Sequence, residues 1–337
     1  MSFIKRSHIQ LLAVLVILAV TAAPALAQRQ APADYGPRSI NLEDLPYPHP
    51  VSYLEFTLYG QDVRMAYMDV APIGVANGRS VVLLHGGNFF AEYWKGTIEV
   101  LRNEGFRVLA TDRIGWGRSS KPIVPYTLND QALHVKMLLD EKGIAEAAIV
   151  GHSMGGMVTS RFASQYPEMT THAVMVNQIG LTDARLQRRW SNPEDPYRGN
   201  ETRTYESIRR GFERYFVTWS DDYEYFIKLH WGWTQSGAYP QYAAMRSLTS
   251  GLLYADPVVY DWPHIKAKTL VIGGREDGPE YAGLAKNVAD TVPNGQLILI
   301  DNVGHLPHLE AADRFHAELV PFLKSDPIPY TEEQGQP

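Results

Sequence analysis

The chain has no cysteine among its 337 residues. That excludes disulfides, a thiol nucleophile and every thiolate-ligated metal site, so stability must come from the packed core. Long basic runs are also missing. With 31 basic against 37 acidic residues the net charge is −6, which argues against nucleic acid as a partner. Neither G-x-x-x-x-G-K-S/T nor H-E-x-x-H occurs, and the histidines are not spaced with carboxylates in a metal-binding pattern. No cofactor and no metal is therefore expected. There is no internal repeat and no low-complexity tract. What remains is a chain with 45% hydrophobic residues, long enough to bury a substantial α/β core.

The N-terminus reads as a separate object. Lys5 and Arg6 precede an apolar run from Leu11 to Val20, then Thr21-Ala22-Ala23-Pro24 and Ala25-Leu26-Ala27. A positive segment, a short apolar segment and an A-x-A site make residues 1–27 a signal peptide cut after Ala27. The mature protein is expected to be exported, periplasmic or secreted. The run is shorter than the ~20 apolar residues of a membrane span, so no stable span is expected after cleavage. Residues 28–50 carry five prolines and no hydrophobic periodicity, and read as an extended leader that lies on the surface or stays mobile.

From there the patterning is regular. Two alternating segments, Ser52–Tyr59 and Asp62–Val70, flank Gly60-Gln61 and predict a hairpin at a sheet edge. Ser80–Leu84, Arg107–Thr111, Ala147–Val150, Ala173–Val176, Thr269–Ile272 and Gln296–Ile300 are short apolar runs without alternation, as in strands buried on both faces. Helical patterns lie between them at Asn129–Lys142, Met154–Gln165, Glu280–Thr291 and Asp313–Leu323. The fold class is α/β, a mostly parallel sheet with helices on both faces. The core covers 51–180 and 263–324, and 325–337 reads as a flexible tail. Between them, residues 181–262 show no strand pattern and are dense in aromatics, which predicts an inserted helical cap.

Gly151-His152-Ser153-Met154-Gly155-Gly156 follows the strand Ala147–Val150 and opens the helical pattern at Met154. It reads as a nucleophile elbow, with glycines two before and two after the serine to relieve crowding in a strained turn. Alone the pattern is cheap, since G-x-S-x-G arises by chance in roughly one chain in ten of this length. Its weight comes from partners. A serine hydroxyl needs a base, and the base an orienting carboxylate. Asp277 stands just past the strand Thr269–Ile272 and His305 just past Gln296–Ile300. In a parallel sheet all three side chains then emerge at one rim. Rivals remain nearby: His308 for the base, Glu276 or the more distant Asp183 for the acid. The residue after the strand Ala173–Val176 is Asn177, which cannot serve as an anion. For the oxyanion, Met154 should supply one amide, and the loop His85-Gly86-Gly87-Asn88 the other, with Gly87 first and Asn88 second. His85 itself reads as a packing and hydrogen-bonding residue. Asp112 through Ser119 lacks the third glycine of a dinucleotide loop and no helix opens on it.

These pieces, His85-Gly86-Gly87, Asp112–Ser119, Gly151–Gly156, Gly274–Asp277 and Gly304-His305 with Pro307-His308-Leu309-Glu310, make the chain resemble α/β-hydrolase-fold enzymes of the branch with a helical cap. It is similar to proline iminopeptidases, meta-cleavage-product hydrolases, epoxide hydrolases and haloalkane dehalogenases. The likeness covers roughly residues 50–180 and 265–324. It implies a hydrolase whose pocket lies between sheet rim and cap. Epoxide hydrolases and haloalkane dehalogenases in this branch carry an aspartate nucleophile where this chain has Ser153, so their chemistry is not expected. The leading expectation is a serine hydrolase acting on a small, mainly apolar carboxylic ester or lactone. An aminopeptidase or amidase, a carbon–carbon bond hydrolase, and a small-molecule receptor that retains the triad are the alternatives. An aminopeptidase would need acidic cap residues for the substrate ammonium, and Glu194, Asp195, Glu201, Asp221, Asp222 and Glu224 are available. Nothing in the sequence gives the oligomeric state.

Overall fold

Eight strands form one sheet in the order β1-β2-β4-β3-β5-β6-β7-β8 in a computed structural model that describes residues 30–331. The proposed signal peptide and the last six residues of the tail lie outside the described residues. β1 (Val51–Leu58) and β2 (Gln61–Val70) are the expected edge hairpin, and β2 runs against both of its neighbours. β3 (Ser80–Leu84), β4 (Arg107–Thr111), β5 (Ala147–His152), β6 (Thr170–Val176), β7 (Lys268–Gly274) and β8 (Gly295–Ile300) pair in parallel. Every residue of β5 is buried, which is why Ala147–Val150 is an unbroken apolar run rather than an alternation. After β3 the chain steps outward to β4, then returns across β3 to lay down β5. The ends of β3 and β5 therefore flank the point where strand order reverses, the place where open α/β sheets bind ligands.

The connecting helices are α1 (Lys95–Asn103), α2 (Leu128–Glu141) and α3 (Met154–Gln165) in the first half of the core. The sequence pattern did not indicate α1. It is nine residues long and buries only Thr97, Ile98 and Leu101, too few for a 3.6-residue period to stand out. Residues 181–262 contain no strand. They hold α4 (Glu194–Glu201), α5 (Tyr205–Glu213), α6 (Glu224–Thr234), α7 (Tyr239–Ser250) and the single turn α8 (Leu252–Ala255). The core resumes with α9 (Tyr281–Thr291), the short α10 (Pro307–Glu310) and α11 (Ala312–Lys324). Among the described residues no helix is long and apolar enough to cross a membrane.

The leader departs from expectation. Residues 30–50 form no helix or strand, yet Ile40 and Leu42 are buried in the main core. Arg118 donates to the carbonyls of Leu42 and Leu45, and Tyr47 donates to the buried Asp112. On the cap side the Trp233 indole donates to the Ser39 carbonyl and Arg38 N–H to that of Gly232. The segment is thus a strap across core and cap, not a loose leader. Its backbone is satisfied by partners far away in sequence, so no local periodicity betrays the attachment.

Candidate active site

Ser153 sits at the turn between β5 and α3 with φ 55° and ψ −117°, a left-handed backbone held by its surroundings. Its N–H donates to the Val176 carbonyl on β6. The flanking glycines are required by space. A Cβ on Gly151 would lie 2.2 Å from the Gly155 carbonyl oxygen, and one on Gly155 would lie 2.3 Å from that of Leu84. The elbow is therefore wedged against the end of β3, and this brings Ser153 beside the loop that follows that strand.

His305 approaches from the loop after β8. Its Nδ1–H donates to Asp277 Oδ2 at 2.8 Å, which leaves Nε2 free to accept a proton. Its backbone N–H donates to the Tyr215 carbonyl at 2.7 Å, and the Tyr215 ring stacks on the imidazole with centroids 4.9 Å apart. Gly304 makes this approach possible, because a Cβ there would come within 2.4 Å of the same carbonyl. Asp277 is further held by Asn177, whose Nδ2 donates to Oδ2 at 2.8 Å while its Oδ1 accepts from Gly274 N–H. Asn177, unusable as an anion, thus orients the Asp277 carboxylate. Among the described residues the Ser153 hydroxyl has no hydrogen bond, but it shares one cavity wall with His305 and Asp277. Such contacts are often long before substrate binds.

The rivals fall elsewhere. Glu276 accepts from the Val303 N–H and stays off the cavity wall. Asp183 pairs with Arg185 and Tyr260, a contact that holds its carboxyl below the usual range. His308 is buried with neither ring nitrogen hydrogen-bonded, stacked on Trp94. Burial first, then His316 and His305, push it well below the ordinary imidazole range. His85 behaves as expected of a packing residue: Nδ1–H donates to the Gly86 carbonyl and Nε2 accepts from Arg113 N–H.

Gly87 and Met154 both line the cavity. Met154 is the first residue of α3, where an amide has no intrahelical acceptor. The peptide planes around Gly87 are pinned: the Gly86 carbonyl accepts from Phe89 N–H and His85, and the Gly87 carbonyl from the Trp116 indole at 2.7 Å. Donors fixed in this way pay no reorganisation when charge develops. His152 joins the two halves of the site. Its Nε2–H donates to the His305 carbonyl and its Nδ1 accepts from Tyr93.

The cavity measures about 620 Å³ and lies between this rim and the cap. Phe89, Ile179, Leu181, Pro279 and Leu284 give it apolar walls. None of the six acidic cap residues considered for an ammonium-binding role reaches it; the charged cap side chain on its wall is Arg246. Among the described residues no cluster of three or more His, Asp or Glu is placed to hold a metal ion.

The model of the alpha/beta hydrolase family matches residues 81–318. A probable hydrolytic enzyme from Pseudomonas aeruginosa PAO1, known as a crystal structure, is 34% identical with a TM-score of 0.83; the match covers 86% of this chain and 99% of that one. A 2-hydroxy-6-oxononadienedioate/2-hydroxy-6-oxononatrienedioate hydrolase of Burkholderia vietnamiensis is 26% identical, over 81% of this chain and 95% of the relative. A 2-hydroxy-6-oxo-6-phenylhexa-2,4-dienoate hydrolase of Comamonas testosteroni is also 26% identical, over 73% and 88%.

Proposed function

We propose, since the chain belongs to the alpha/beta hydrolase family, that it hydrolyses a small carboxylic ester or lactone through an acyl-enzyme on Ser153. The observation that carries this is the His305–Asp277 hydrogen bond at 2.8 Å on the same cavity wall as a serine at positive φ. Ser153 Oγ attacks the carbonyl carbon while His305 Nε2 takes its proton. Asp277 fixes the tautomer and stabilises the imidazolium. The amides of Met154 and Gly87 receive the oxyanion. Collapse expels the alkoxide, which takes the proton back from His305. A water molecule, deprotonated by the same nitrogen, then releases the acid and restores the serine. The chemistry needs no cofactor.

Ser153→Ala should lower kcat on a panel of 4-nitrophenyl esters by roughly 10⁴ to 10⁶, as triad knockouts do. A loss of only a few-fold would show that another group attacks. A carbon–carbon bond reading has its own support in the two dienoate and dienedioate hydrolases among the relatives. Turnover of 2-hydroxy-6-oxo-6-phenylhexa-2,4-dienoate in preference to every ester of the panel would establish it instead. A receptor that keeps the triad would be labelled once by a fluorophosphonate but would not turn over. The cap favours neither an aminopeptidase nor an amidase for cationic substrates, since its cavity-lining charge is positive. We place the enzyme outside the cytoplasm, on the residue pattern of 1–27. Intact mass of protein from the native host should give an N-terminus at Gln28, and a membrane-bound species starting at Met1 would overturn that placement.

A further inference from the structure

Two arginines beside the cavity have no carboxylate partner. Arg246, on α7, lines the cavity wall; its Nη2 donates to Asn88 Oδ1 at 2.7 Å and its Nε to Asn200 Oδ1 at 3.5 Å. Arg203, in the turn between α4 and α5, donates to His230 Nδ1 at 3.5 Å. Among the described residues neither forms an ion pair with an acid. Elsewhere in the cap Arg185, Arg198, Arg209 and Arg210 each have one, while Arg188, Arg189 and Arg214, also without one among the described residues, do not line the cavity. The groups facing Arg203 are Arg246 and the hydroxyls of Tyr239, Tyr242 and Tyr215, and burial followed by the Arg246 charge lowers its guanidinium to about 10. His230, between Arg203 and the Asn88 carbonyl, is kept well below its ordinary range by burial and the same two cations. Two carboxylates lie on the cavity wall. Asp277 is committed to His305 and Asn177, and Glu280 is exposed.

Uncompensated, half-buried positive charge next to a substrate cavity is costly unless a ligand supplies the counter-charge. We propose that the substrate carries a carboxylate besides its scissile acyl group, and that Arg246 receives it with Arg203 as the second cation. The scissile bond itself rests on the ester or lactone reading, so the substrate class is a half-ester of a short dicarboxylic acid or a carboxylate-bearing lactone. Asn88 links this subsite to the chemistry. It directly follows Gly87, and its Nδ2 donates to the hydroxyl of Tyr215, whose ring lies on His305. A carboxylate drawn to Arg246 thus docks against the residue next to the oxyanion loop. Hydrolysis of such a substrate creates a second carboxylate, so the product is a dianion that the same two cations retain.

Binding can be read without turnover. In Ser153→Ala protein, calorimetric titration with the monomethyl and the dimethyl esters of succinate, glutarate and adipate compares one negative charge with none at equal chain length. At least one half-ester should bind ten times more tightly than its diester or better, and Arg246→Gln added to Ser153→Ala should remove most of that preference. With Ser153 intact, Arg246→Gln should lower kcat/KM for a 4-nitrophenyl hemi-dicarboxylate at least tenfold more than for the 4-nitrophenyl alkanoate of equal length. Diesters binding as tightly as all three half-esters would overturn the subsite, with no arginine variant needed. An unchanged preference in Arg246→Gln would do the same. A half-ester that binds through Arg246 but is never cleaved would instead leave the subsite standing and remove the ester reading. Neutral esters turned over with no advantage from a carboxylate would do the reverse.

Discussion

Acid should destabilise this protein through four histidines buried in and around the site. His85, His152, His230 and His308 are each at most 3% exposed, and burial is the leading cause that holds all four well below the ordinary imidazole range. In the unfolded chain each binds a proton below about pH 6.5, whereas in the native chain each stays neutral to much lower pH. The unfolded state then holds more protons, so stability is complete above pH 6.5 and falls as the pH drops below it. For one such group the loss between pH 7 and pH 5.5 is about 1.2 kcal/mol, and for four about 5 kcal/mol, to which His134 and His172, each lowered to about 4 chiefly by burial, add. That is comparable to the whole stability of a marginal domain, about 5–15 kcal/mol. Equilibrium unfolding in urea, followed by tryptophan fluorescence at the two pH values, measures the difference. His308 allows the cause to be isolated, because neither of its nitrogens has a partner and its ring stacks on Trp94 with centroids 4.3 Å apart. His308→Phe keeps an aromatic ring there and removes the titration, so the pH difference should shrink by about 1.2 kcal/mol whatever the variant's stability at pH 7. A stability that is flat or rises on acidification would refute the reasoning. A variant that retains the full difference would refute the part played by His308.

Two further outcomes follow from the geometry. Asp277→Asn should lower kcat by about 10⁴ because the wrong imidazole tautomer then faces Ser153, while Glu276→Gln, which touches only the Val303 N–H, should change it by no more than a few-fold; steady-state kinetics on one ester distinguishes them, and the opposite ranking reassigns the acid. Leu42→Ala, at a fully buried position of the strap, should cost about 2–5 kcal/mol in denaturant unfolding, where a surface leader would lose almost nothing.

The parts of the fold that could be read from sequence are those where local chemistry decides the outcome. β3 and β4 fall on their expected residues, and α3 begins at Met154 as its pattern implied, because a strand buried on both faces leaves only apolar residues to read. Ser153, Asp277 and His305 were legible for a related reason: each stands one short step past such a strand, and parallel pairing sends every strand end to the same rim. Asn177 obeys the same rule at the end of β6. Its value is hidden because orienting an anion requires an amide donor, not a charge. Arg246 gave no signal at all. It is one of several arginines in a helical segment, and its place on the cavity wall without an acid across space sets it apart. The strap escaped for the same reason, since Arg118, Trp233 and Asp112 satisfy it from outside its own sequence.

The cap and the His305 loop are joined at the α5 end. The Tyr215 carbonyl accepts from His305 N–H, and Gly304 packs against that same carbonyl. Glu310 completes the joint: one carboxylate oxygen accepts from the N–H groups of Val217 and Thr218 at 2.7 and 2.8 Å, the other from Gly304 N–H at 2.7 Å. A cap that lifted as a rigid body from this end would break the two charge-assisted hydrogen bonds from Val217 and Thr218 to Glu310 and withdraw the carbonyl that accepts from His305 N–H. The cavity wall farther along the cap is built differently: Ile179, Gly180, Leu181 and Thr182 come from the chain leaving β6, and Gly278, Pro279 and Glu280 from the loop after β7. Asn177 and Asp277 stand at the roots of these two segments, so the hydrogen bond from Asn177 Nδ2 to Asp277 Oδ2 ties both of them to the sheet rim.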